Sequence, residues 1–232
     1  MKKIIFAVLG LMLINTAFAQ SKFRFGVSYN LSASAIVSSG RNMSGMGSGM
    51  MMSNSQMNSN LGLKLNPGTS FRAEYFFNEN WGMYLQTGYQ QRGGIYKEYL
   101  DDYRPRYRLN YWDVNIGAQF KTKCIINKNH QFITNFGITQ HTLLSAYRVY
   151  DTGSDNITDE FNFNDIGLFL GVGRNIPIFE KDVFQVLLFG NYSVTQMYSG
   201  NFEKNGMTGK NLLFGIQLSY LLGKLTHNPI TQ

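Results

Sequence analysis

A closed, lipid-facing barrel of eight antiparallel β-strands is the fold this sequence predicts, and three features predict it. Apolar and polar residues alternate with a period of two in eight separate stretches. The connections between those stretches are short and long in turn. The composition suits strands that face lipid on one side: charged residues are 15%, aromatics 15%, and glycines number 24. Beyond the N-terminus no stretch offers the eighteen or so consecutive apolar residues of a transmembrane helix.

The N-terminus reads as an export signal. Lys2 and Lys3 precede an apolar run over 4–14, and Ala17-Phe18-Ala19 supplies the small residues of a cleavage site before Gln20. Basic, apolar and small residues in that order mark a secretory signal peptide, and the apolar run is too short to span a bilayer. The expected organisation is a signal peptide over 1–19, a barrel over 20–224 and a tail over 225–232.

The strands follow in order. From Phe23 the odd positions read Phe23, Phe25, Val27, Tyr29 and Leu31, and the even ones Arg24, Gly26, Ser28, Asn30 and Ser32. A period of two over this length means one apolar and one polar face. The second stretch, 62–77, sets Leu65, Phe71, Ala73 and Tyr75 against Asn66, Arg72 and Glu74. The third, 81–96, sets Trp81, Met83, Leu85 and Tyr89 against Gln86, Gln90 and Arg92. The fourth, 108–121, sets Trp112, Val114 and Ile116 against Asp113, Asn115 and Lys121.

The later strands are less regular. The fifth, 131–147, opposes Phe132, Phe136 and Ile138 to Asn135, Thr139 and His141, with a blurred pattern. The sixth, 162–176, opposes Ile166, Leu168, Leu170 and Val172 to Asp165, Gly167, Gly171 and Gly173. The seventh, 183–197, is apolar on both sides before it turns polar at Asn191 and Ser193. The eighth, 211–223, opposes Phe214, Ile216, Leu218 and Tyr220 to Gly215, Gln217 and Ser219.

Connections near 78–80, 122–130 and 177–182 are short, and those near 38–60, 97–107, 148–161 and 198–210 are longer. An even strand number, with short turns at one rim and long loops at the other, describes an outer-membrane barrel. Both termini then fall on the short-turn, periplasmic side. Eight strands enclose a lumen that side chains fill. The fold class is therefore all-β: an eight-stranded antiparallel up-and-down transmembrane β-barrel of OmpA/OmpX-like size.

Three runs carry a family resemblance: AEYFFNENWGMYLQTGYQQRGG (73–94), YWDVNIGAQFK (111–121) and FNDIGLFLGVG (163–173). They resemble the outer-membrane β-barrel domain family common in Bacteroidetes, often labelled PorT-like. Asn115 stands where that family usually carries proline. The tail beyond Leu225 departs from barrels that end on an aromatic residue. The resemblance implies the fold and says almost nothing of biochemical role, since fold does not carry function by itself.

The polar faces place Arg24, Arg72, Glu74, Arg92, Asp113, Lys121 and Asp165 inside the barrel. Paired with one another they form a filled interior; unpaired, they would line a narrow channel. The run 41–57 holds Met43, Met46, Met50, Met51, Met52 and Met57, six of eleven methionines. Thioether sulfur is a soft ligand for Cu(I) or Ag(I), and the same residues suit a contact surface for a protein partner or a plain Gly/Ser-rich loop. Tyr75, Trp81, Phe120 and Phe132 are expected at one membrane interface and Tyr89, Tyr96, Trp112 and Tyr192 nearer the other.

No nucleotide fingerprint or zinc spacing appears, and no cofactor is expected. His141 with Thr142 and Ser145 is the one combination suited to nucleophilic catalysis, and it would need an orienting acid and hydrogen-bond reach across strands. Cys124 is the only cysteine, so no internal disulfide forms. The basic residues behind the net charge of +7 are scattered, which argues against nucleic acid. The expectation is a monomeric, non-enzymatic outer-membrane protein surrounded by lipid, with long loops free for a protein partner. Two alternatives use the same alternation: a narrow uptake channel, and a soluble lipocalin-type barrel turned inside out. The second lacks a G-x-W signature and has few charges for a water-facing surface.

Overall fold

The computed structural model describes residues 23–40, 64–94, 106–123, 131–178, 182–197 and 207–223. The expected signal peptide over 1–19, the methionine-rich run, Tyr96, Cys124, His130, His227 and the tail lie outside the described residues. Eight long strands form the wall: β1 (Phe23–Gly40), β2 (Lys64–Phe76), β3 (Trp81–Arg92), β4 (Arg106–Lys123), β5 (Gln131–Val149), β7 (Asn164–Pro177), β8 (Asp182–Ser193) and β9 (Met207–Leu222). A short β6 (Ser154–Asn156) and a 3-10 turn over Thr158–Glu160 extend the β5–β7 connection. Each long strand pairs antiparallel with its sequence neighbour, apart from the short β6, which pairs with β5 alone.

Pairing of β1 with β9, from Phe25↔Leu222 to Gly40↔Met207, closes the sheet into a barrel. Closure leaves no open edge, which hydrocarbon would not tolerate. Side chains then sort by parity. Val27, Leu31, Leu65, Phe71, Leu85, Ile116, Ile138, Leu168, Leu170, Leu188 and Ile216 face outward and are exposed. An apolar belt of that extent is a lipid-facing surface. It also rules out the lipocalin arrangement, which turns these residues inward.

Trp81 packs on Phe120 (4.9 Å between centroids) and Tyr75 on Phe77 (5.5 Å) at the short-turn end. Tyr89 pairs across strands with Trp112 toward the long-loop end.

One irregularity interrupts the parity. Between Tyr111↔Leu143 and Asn110↔Ser145 the register of β4 and β5 shifts by one, leaving Leu144 as a β-bulge. Inward positions on β5 are odd through Leu143 and even from Ala146. This is why the sequence pattern of the fifth strand blurs. The seventh predicted strand ends at Ser193 rather than 197; Val194 N–H still donates to Ile166 O at 2.7 Å, but Ile166 N–H turns to the Thr195 hydroxyl at 2.8 Å instead of a backbone carbonyl.

Glycines set the interior spacing. Tyr84 of β3 lies beside Gly117 of β4, and Gly117 beside Gly137 of β5. A Cβ at either glycine would come within 2.8 Å of the Tyr84 hydroxyl. On β7, Gly171 leaves room for the Phe169 ring. Gly117→Val is therefore expected to overpack the barrel and lower stability by about 1–3 kcal/mol. Urea unfolding in detergent, followed by heat-modifiable gel migration, measures this; Gly153→Val, with nothing within 4 Å of its Cβ, should leave the midpoint unchanged.

Candidate functional site

The interior is the candidate site, and it is layered along the barrel axis. At the short-turn end Glu74 (β2) is the centre. Arg72 Nε donates to its Oε1 at 2.8 Å, Gln185 Nε2 donates to the same oxygen at 3.3 Å, and Arg24 Nη1 lies 3.9 Å from its Oε2. Arg72 continues to Gln86 (3.0 Å) and Gln119 (3.4 Å), with its guanidinium 4.3 Å from the Tyr84 ring centroid. Arg24 and the Lys121 ammonium both sit over the Phe76 ring, at 5.0 and 3.8 Å. Cation–π contact and amide dipoles thus carry the positive charge that the single carboxylate leaves over.

The middle layer is apolar. Tyr84, Phe169, Phe189 and Leu213 form a buried cluster across the lumen, with Phe169 and Phe189 stacked 5.7 Å apart. Around it lies an internal cavity of about 30 Å3, lined in part by Asn30, Gln86, Arg92, Asn115 and Asn191. That volume holds no more than a few waters.

Toward the long loops stands a second charged layer. Arg92 Nη2 donates to Asp113 Oδ2 at 2.7 Å. His141 Nδ1 lies 2.8 Å from Asp113 Oδ1 and 2.8 Å from Arg92 Nη2. Carrying a proton, Nδ1 donates to the carboxylate; without one, it accepts from the guanidinium. His141 Nε2 faces Asn191 Oδ1 at 3.2 Å. Asp165 accepts from the hydroxyls of Ser193 and Thr195.

Above this layer an apolar lid covers the β4–β5 side of the barrel. Ile157 and Phe161 of the β5–β7 connection and Met197 pack on Leu109, Tyr111, Leu143 and Ala146. Arg148 Nη2 donates to Glu160 Oε2 at 3.1 Å, and Ala146 N–H donates to Thr158 Oγ1 at 3.0 Å, fastening the lid to β5.

The seven charges therefore lie in two separate groups rather than one network. Arg24, Arg72, Glu74 and Lys121 share the lower group; Arg92 and Asp113 share the upper one, with Asp165 nearby on hydroxyl partners. All are buried except the Asp113 side chain, which is 19% exposed. The histidine combination does not assemble. Thr142 donates to Asn164 on the outward side, and Ser145 accepts from Asn110 Nδ2, while His141 points inward to Asp113 and Asn191. No group of three or more His, Cys, Asp or Glu suited to a metal exists among the described residues.

Sequence reasoning missed Gln185, the aromatic waist and the lid. Phe169 had a signal: it occupies an inward parity position between Gly167 and Gly171. Ile157 and Phe161 had none, because they belong to a connection.

A closed barrel with a lipid-facing surface and a packed polar interior is an integral outer-membrane barrel in architecture. Residues 18–199 match the outer membrane protein beta-barrel domain family, and the chain belongs to it. No curated protein matches the sequence. Solved structures with a similar course include Ail, the attachment invasion locus protein of Yersinia pestis, at 14% identity over 87% of this chain and 99% of that one (TM-score 0.41). OprG from Pseudomonas aeruginosa is 14% identical over 86% and 95% (TM-score 0.49), and Neisserial surface protein A is 9% identical over 84% and 95% (TM-score 0.46).

Glu74 is buried with three cations around it, so neutralising it leaves them without a carboxylate. Glu74→Gln is expected to destabilise the barrel by about 3–5 kcal/mol, the usual cost of orphaning a buried charge. Urea titration in detergent reads it, and a loss below about 1 kcal/mol would show that amides alone hold the arginines.

Proposed function

We propose that this outer-membrane protein is a non-conducting, monomeric barrel that works through its long outer loops, in a structural or partner-binding role. The observation that carries the reading is the apolar packing inside the barrel, in the Tyr84–Phe169–Phe189–Leu213 waist and beneath the Ile157–Phe161–Met197 lid. Charges that could select ions are instead paired or held against rings, and the cavity beside the waist holds no more than a few waters. A signal peptide over 1–19, removed before Gln20 on export, agrees with delivery to the outer membrane.

Catalysis is not part of the proposal. His141, the only histidine among the described residues, has amide, carboxylate and guanidinium neighbours and no hydroxyl to activate.

In planar bilayers the purified protein is expected to give no steady unitary currents. Reproducible single-channel steps would replace this reading with the narrow uptake channel.

Termini in the periplasm and long loops outside follow from the usual arrangement of such barrels. In a Cys124→Ser background, Gly153→Cys should react with a membrane-impermeant maleimide on intact cells, and Glu79→Cys only after permeabilisation. The opposite pattern would invert the orientation.

A further inference from the structure

The outward face of β4 changes chemistry step by step along its length. Ile116 and Val114 are apolar, Trp112 is aromatic and cross-strand from Tyr89, and Asn110 is polar. Asn110 Oδ1 accepts from the Tyr89 hydroxyl at 2.7 Å and from Gln91 Nε2 at 3.3 Å, and its Nδ2 donates to Ser145 Oγ at 2.8 Å. One step further come Arg108 and then Arg106, both exposed. From Trp112 to Arg108 the strand climbs roughly 13 Å, or about 10 Å of depth at the usual barrel tilt.

A lipid presents the same order: acyl chain, a linkage region of amide or ester and hydroxyl groups, then phosphate. Among the described residues the arginines have no carboxylate counterion. Lys64 of β2 reaches Tyr107 O at 3.5 Å beside them, and among the described residues none of the three cations has a carboxylate partner. Lys64 lies above the aromatic band, at the first residue of its strand, half-buried on the inward parity of β2 behind the outward arginines. Burial, followed by the charges of Arg108 and Arg106, holds its ammonium below the usual lysine range. Three crowded cations at one rim are a site for an anion supplied from outside.

We propose that this face seats one phosphorylated lipid of the outer leaflet, its phosphate on Arg106 and Arg108 with Lys64 behind them, its linkage region on Asn110, Gln91 and Ser145, and its chains along Trp112, Val114 and Ile116. Guanidinium groups suit this role because their paired N–H donors match two phosphate oxygens. The proposal rests on the outward position of the long loops argued above. The patch is open to the bilayer, so the ligand reaches it by lateral diffusion and the closed lumen is irrelevant to it.

The test uses the full chain in phosphatidylcholine nanodiscs doped with diphosphoryl lipid A or its dephosphorylated form. Native mass spectrometry counts the lipid that stays bound after release. One diphosphoryl lipid A is expected to be retained, with retention at least tenfold lower for the dephosphorylated form and for Arg106→Gln/Arg108→Gln. Arg174→Gln, which removes the guanidinium over Phe132 at the opposite rim, should change nothing. If the glutamine variant does not fold, Arg106→Lys/Arg108→Lys decides, with an expected several-fold loss.

Equal retention of the dephosphorylated lipid, or unchanged retention by the arginine variants, would overturn the proposal. So would displacement of the lipid by millimolar inorganic phosphate, which would make the site one for a free anion. Nanodisc binding does not depend on cellular orientation. Maleimide labelling that inverts the barrel therefore leaves this measurement standing, while lost binding with the loops correctly outside overturns the lipid site alone.

Discussion

In hydrocarbon a backbone N–H or C=O has no water to turn to, and each one left unpaired costs several kcal/mol. The continuous β1–β9 pairing meets that constraint here, because it removes the two edges an eight-stranded sheet would otherwise expose. Everything else follows from closure. Alternate side chains must enter a lumen only wide enough to be filled, and the outward ones must suit lipid. The two surfaces are therefore written in one strand, residue by residue.

The lumen solves its packing by pairing large with small across strands. Tyr84 spreads over Gly117 and Gly137, and Phe169 over Gly171, so three rings meet near the axis without straining the wall. Polar filling is harder, because an ion removed from water needs both charge compensation and hydrogen bonds. The lower layer meets this with one carboxylate and several amides for three cations. The upper layer pairs Arg92 with Asp113 and uses His141 as an adaptable neighbour. Between them stands the apolar waist, and the ion pairs of each layer form within that layer.

The parts legible in the sequence were those that depend on parity alone. Arg24, Arg72, Glu74 and Lys121 lie on strands whose alternation never breaks, and a period of two is enough to assign their faces. Which charges meet was not legible, because neighbours across the lumen depend on barrel register rather than on spacing in the chain. Gln185 reaches Glu74 from the far side of the molecule, and no local pattern announces it. The lid was hidden for another reason: Ile157 and Phe161 sit in a connection, where an apolar residue has no periodic context. The first two residues of β4 fell in a predicted loop, so Arg106 was never placed on a face, and Arg108 stood at the very edge of its predicted strand.

The bulge at Leu144 shows how much a single residue decides at this end of the barrel. With regular pairing continued from Tyr111↔Leu143, Asn110 would face Leu144 and Leu109 would face Ser145. A serine hydroxyl would then enter the apolar cluster beneath the lid, and a leucine would replace the partner of Asn110 on the outside. The inserted residue reverses both outcomes. Ala146 comes to lie opposite Leu109 in the lid core, and Ser145 opposite Asn110 on the lipid side. A bulge re-aims side chains on both faces at once, because successive residues of a strand point opposite ways. The seal over the lumen and the polar step of the outer surface are consequently one feature of the β4–β5 pair. A change that restored regular pairing there would disturb both together.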